Sequence, residues 1–138
     1  MNPGAGSLFT NPYFVAIISP SAILLLGALG KGIIRGGINR YIFYLGFDAS
    51  LSALYAGMIY LYDVARNPIL RSEAKIELTA GFLIVSFVLF FVIIICHQIW
   101  EKDDKKDKVG PQTLVLGVFA NLIGFGLLVV FVLLVKGV

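Results

Sequence analysis

A chain of 138 residues that is 59% hydrophobic and 14% charged has more apolar surface than a soluble globule of its size can bury, because soluble domains run near about 45–50% apolar and about 25% charged. The excess must face lipid, and the length leaves room for one domain over 1–138 with no large extramembrane module. The net charge of +3 is small, and the basic residues cluster between apolar runs, which fits loops beside lipid headgroups and not a nucleic-acid surface.

The first apolar run covers about 13–30 and contains Pro20. The segment before it carries no lysine or arginine, unlike a secretory signal, so the run is expected to persist as a retained helix. A glycine-rich loop over about 31–40 holds Lys31, Arg35 and Arg40. The second run, about 41–62, reads YIFYLGFDASLSALYAGMIYLY, and Asn67-Pro68 breaks the chain after it because the residue before proline resists the helical region. Residues 69–77 are expected to form a short interfacial turn. The third run, about 78–100, ends in CHQIW. Its Cys96 is the single cysteine and its His97 the single histidine, which leaves no intrachain disulfide. One histidine also cannot supply paired haem ligands or a zinc site alone, so no cofactor or metal is expected, and His97 reads as an interfacial residue. Residues 101–108, EKDDKKDK, read as a solvated helix extension with internal ion pairs. Gly110-Pro111 stops it before the fourth run at about 113–135.

About 20 helical residues cross a hydrocarbon core of about 30 Å, and lipid offers no partner for an unpaired backbone group. The runs lack the alternation of a β-barrel. The expected fold is therefore all-α, a bundle of four transmembrane helices joined by short loops. Loops 31–40 and 101–112 hold seven of the lysines and arginines, and the opposite side holds four, Arg66, Arg71, Lys75 and Lys136. The positive-inside rule then places both termini on the non-cytoplasmic side, in a membrane taken as the bacterial or archaeal plasma membrane.

The second run carries the chemistry. On a helical wheel Tyr44, Asp48, Ser52 and Tyr55 share one stripe, and Gly46, Ser50, Ala53 and Gly57 form a small-residue face on the other side. An intramembrane carboxylate is a functional-site candidate by default, and with no lysine or arginine inside any predicted span its pKa is expected to rise. Arg40 lies two turns away, about 12 Å along the axis. Asn121, the only strongly polar residue of the fourth run, is expected at the same depth as Asp48, as are Ser19, Pro20 and Ser21. Asp48 is therefore read as hydrogen-bonded to Asn121, a serine or a tyrosine, holding the bundle or an oligomer together.

The function expected from these residues is that of a non-enzymatic polytopic membrane protein. It homo-oligomerises and serves as an anchor, scaffold or relay component of a larger complex, with the lipid bilayer and another protein subunit as its partners. The alternative is an oligomeric ion or proton channel, or a small transporter, with its polar site around Asp48.

Overall fold

The computed structural model describes residues 10–37, 44–106 and 110–137. It is all-helical, with α1 at Pro12–Ile34, α2 at Leu45–Arg66, α3 at Glu73–Lys105 and α4 at Pro111–Lys136. The expected positions of Arg40 and Tyr41 fall outside the described residues.

Local sequence sets each boundary. Asn11 caps α1 by accepting from the amides of Tyr13 at 3.0 Å and Phe14 at 3.4 Å, and Pro12 occupies the first helical position, where a missing N–H costs nothing. The helix passes through Pro20, and Ser21 donates to the Ile17 carbonyl at 2.7 Å. Gly36, at φ 70°, supplies the left-handed residue after its end. Pro68 follows the end of α2, and Pro111 opens α4. The expected interfacial turn is shorter than 69–77, since α3 starts at Glu73.

Helices α2, α3 and α4 pack around one another, and α1 lies against α4 and more lightly against α2. The buried positions of α3, Thr79, Phe82, Ser86, Ile93, Cys96 and Trp100, recur at steps of three and four, as do Thr113, Gly117, Ala120, Gly124 and Leu127 on α4. This spacing of about 3.5 residues keeps one seam facing its neighbours along the whole helix. The core is a cluster of Ala49, Ala53, Phe82, Leu127 and Leu128, continued by Ile93, Cys96 and Ala120. Small residues supply much of it because contact between helices in lipid depends on close packing, not on apolar burial.

Three helices, α1, α3 and α4, are long and apolar enough to cross a membrane. Only 11% of the most apolar window of α1 is buried, so most of its leucines and isoleucines face outward, and the same holds for Ile84, Phe87 and Phe91 on α3 and for Val115, Phe119 and Leu122 on α4. The expectation of four equivalent spans is met in part. α2 has 22 residues and is less apolar, because Asp48, Ser50, Ser52 and three tyrosines interrupt its aliphatic content. It can be so because its small-residue face is covered by α3 and α4. The 33 residues of α3 extend for about 50 Å at about 1.5 Å per residue. Its polar last turn, where Lys105 pairs with Glu101 at 2.9 Å, thus stands beyond an apolar core of about 30 Å.

Candidate functional site

The polar residues converge at one end of the bundle, where α1 and α3 finish and α2 and α4 begin. Lys31 is not in a loop, as the sequence reading has it. α1 continues to Ile34, and Lys31 follows Ala16, Pro20, Leu24 and Ala28 at helical steps on the inward side. Its ammonium therefore points at α2, where it forms an ion pair with Asp48 and donates to the Tyr44 carbonyl at 2.9 Å.

Two charges thus explain the aspartate. Asp48 lies in the first turn of α2, where the helix dipole favours an anion, and Lys31 supplies a full positive charge. The expectation that no cation reaches Asp48 is corrected, because one more turn of α1 carries Lys31 across. The side chains of the pair are 27% and 46% exposed, so their surroundings screen it and its contribution is on the order of 1 kcal/mol.

Asn121 does something the sequence did not suggest. Its Oδ1 does not meet Asp48. It accepts from the amides of Leu45 at 3.1 Å and Gly46 at 2.7 Å. Tyr44, the residue before α2, provides no side-chain cap, so α4 caps α2 from outside. Two of the four amides that every helix start leaves without intrahelical partners are satisfied this way. Asn121 thus meets the start of α2, and not the Asp48 carboxylate.

This cap requires the two backbones to touch. A Cβ on Gly46 would run into the Ala120 carbonyl, and one on Gly124 would come within 2.5 Å of the Gly46 carbonyl oxygen. A Cβ on Gly57 would lie 2.8 Å from Leu83, and Ser50 and Ala53 are completely buried. The small-residue face is therefore filled by helices of the same chain. The remaining predicted site residues, Ser52 and Tyr55, do not join Asp48. Both are exposed, Tyr55 by 68%, on the outward side of α2.

Beside the ion pair lies a crevice of about 330 Å³ between α1, α2 and α3. Lys31 and Arg35 bound it on one side, Tyr44, Phe47 and Asp48 on another, and Ile94, His97, Gln98 and Glu101 on the third. The imidazole of His97 packs against Tyr44 at 5.1 Å between centroids, and Trp100 meets the same tyrosine edge-on at 5.3 Å. Both ring nitrogens of His97 are buried without a hydrogen-bond partner among the described residues. Nearby, Thr113 donates to Asp103 at 2.5 Å, linking α4 to α3.

Lys31, Arg35 and His97 are the site members that sequence reading passed over. The available signal was the position of Lys31, seven residues after Leu24 on the inward side of α1. Among the described residues no three histidine, cysteine or acidic side chains converge as a metal site. No protein-family model, curated protein or solved structure matches the chain.

Proposed function

We propose that the chain is a four-span, non-enzymatic membrane protein that associates with further copies of itself and serves as an anchor or scaffold within a larger membrane complex. Both termini lie on the non-cytoplasmic side, in a bacterial or archaeal plasma membrane. One observation carries the scaffold reading. The conspicuous polar groups at the membrane edge are committed to holding helices together, Lys31 to Asp48 and Tyr44, and Asn121 to the start of α2. A conduction pathway needs groups that exchange partners with the permeant species, and these are engaged with the backbone and with each other.

In this reading α2 is the fourth span. Its 22 residues reach about 33 Å at about 1.5 Å per residue, enough to cross, and the low apolarity is tolerated because the bundle shields one face. Self-association uses the other face, where Ser52, Tyr55, Ile59 and Tyr62 are exposed. Hydroxyls turned toward lipid gain from a partner helix, each bond contributing about 0.6–2 kcal/mol. Purified protein is expected to run as an oligomer that Ser52→Leu and Tyr55→Leu together dissociate. An unchanged particle mass in the double variant rejects that face.

The second reading, a channel or small transporter, draws on the crevice beside Asp48. Proteoliposome flux separates the two readings. The scaffold reading expects no proton or cation flux above that of empty vesicles, and a flux abolished by Asp48→Asn would replace it.

Topology has its own test. Cysteines placed at Lys31 and Lys105 in a Cys96→Ala background should react only with reagent on the cytoplasmic side, and one at Ser72 only from outside. Labelling of positions 31 and 105 from opposite sides is incompatible with four spans.

A further inference from the structure

We propose that the groove between α3 and α4 receives the outward face of α2 from a second copy of the chain, so that copies join head to tail with Arg66 of one beside Glu77 of the next. The inference rests on the self-association proposed above and names the surface that the exposed face of α2 meets.

The groove holds about 950 Å³. Phe82 and Leu127, both buried, form its floor, and Gly81 and Gly126 stand one on each wall. A Cβ on either glycine would meet nothing within 4 Å, so neither serves packing inside the chain, unlike Gly46, Gly57, Gly117 and Gly124. Glycine weakens a helix interior relative to alanine, and fluid acyl chains adapt to a wall of any shape. What small residues on facing walls permit is the close approach of another helix.

α2 supplies the matching ridge. Ser52, Tyr55, Ile59, Tyr62 and Arg66 recur at steps of three and four and are all exposed, a spacing that keeps one stripe toward a partner. At about 1.5 Å per residue the ridge runs about 21 Å from Ser52 to Arg66, and the groove about 22 Å from Ala74 to Leu89.

Charge sets the register. The Arg66 guanidinium folds back one turn, donating to the Tyr62 hydroxyl at 2.6 Å and lying 5.7 Å from the centre of that ring. It therefore reaches the level of a residue four before the end of α2, and Glu77 lies four after the start of α3. Residues 67–72 join those two helix ends, so copies inserted the same way up bring the two charges together. Among the described residues no cation pairs with Glu77, and the bond to Tyr62 uses one of the five donors of Arg66. A two-fold contact of α2 with α2 would return Arg66 to Arg66 and tyrosine to tyrosine, whereas the groove offers an acid and a recess.

Two measurements on the full chain in detergent micelles test the docking. In a Cys96→Ala background, copies carrying Ile59→Cys on the ridge are co-expressed with copies carrying Val130→Cys on the groove wall, then oxidised. The pair should give a disulfide-linked dimer, and neither variant alone should. Particle mass on dilution is the second measurement. Arg66→Glu and Glu77→Arg should each weaken association about fivefold, as loss of an ion pair at the edge of an interface implies, and the double variant should restore it. Gly126→Leu, which puts bulk where its own chain leaves space, should dissociate the particle. In an oligomeric wild type, four results overturn the docking and leave self-association standing: a dimer linked through Ile59→Cys alone, no link between positions 59 and 130, a double charge variant no better than the singles, or an unchanged mass in Gly126→Leu. A monomeric wild type removes the self-association itself, and the docking with it.

Discussion

Gly46→Ala should cost the fold about 2 kcal/mol or more, whereas Gly81→Ala should leave stability unchanged or raise it. In an ordinary helix interior the added methyl is favourable by about 1 kcal/mol. At Gly81 a Cβ meets nothing within 4 Å, so that gain is available. At Gly46 the new Cβ would strike the carbonyl of Ala120, which is backbone and cannot rotate away. Relief requires α2 and α4 to separate, and overpacking of this kind costs about 1–3 kcal/mol, occasionally more. Separation also stretches the bonds from the Leu45 and Gly46 amides to Asn121, so the cap weakens with the packing. Gly117→Ala should also destabilise, because a Cβ there would overlap the ring of the buried Trp100. Unfolding of the purified variants in mixed micelles gives the comparison. Equal stability of the Gly46 and Gly81 variants would show that α2 and α4 do not cross where Gly46 meets Gly124.

The ion pair should reveal itself as coupling. Lys31→Met leaves a carboxylate at the edge of the apolar region and Asp48→Leu leaves an ammonium there, and each single change should destabilise by about 1–2 kcal/mol. A fully buried pair broken on one side costs about 3–5 kcal/mol, but side-chain exposures of 27% and 46% reduce that. The lysine also has a flexible stem that can carry its charge to the headgroups, so Asp48→Leu should be the milder of the two. The double variant Lys31→Met with Asp48→Leu should recover most of the loss, since it leaves no unpaired charge, giving an interaction energy of about 1 kcal/mol. Asp48→Asn should lie close to the wild type, because the amide oxygen still accepts from Lys31. Strictly additive single effects would mean that the two residues do not meet. Loss of assembly in Asp48→Asn would mean that the negative charge is needed, and not only the hydrogen bond.

Much of the architecture could be read from composition and run length. Four helices, the loops that join them and the outward apolar surface follow from how much hydrocarbon the chain must hide and from its glycine and proline punctuation. The inward face of α2 was legible too, because Gly46, Ser50, Ala53 and Gly57 recur at a helical step. What occupies that face was not. A small-residue stripe says that something approaches closely, and it is equally suited to a second chain or to another helix of its own. Folding places α4 at Gly46 and α3 at Gly57.

The candidate site divides in the same way. The expectation that Asp48 and Asn121 share a depth comes from counting residues along two apolar runs, a one-dimensional quantity. Their partners depend on rotation about the helix axes and on where α1 ends. Glycines at 30, 32, 36 and 37 signal a loop, and propensity alone ends α1 before Lys31. In the folded protein α1 keeps its hydrogen bonds to Ile34 because packing of Ala16, Pro20 and Leu24 against the bundle outweighs the roughly 1 kcal/mol that each glycine costs. That extra turn delivers the ammonium to Asp48. The residues themselves therefore determined that a carboxylate sits near the start of a largely apolar helix and must be neutralised or bonded. Only the tertiary arrangement decided that Lys31 neutralises it, that Asn121 caps α2 instead, and that His97 turns inward beside Tyr44, because each of these is set by which helix faces which.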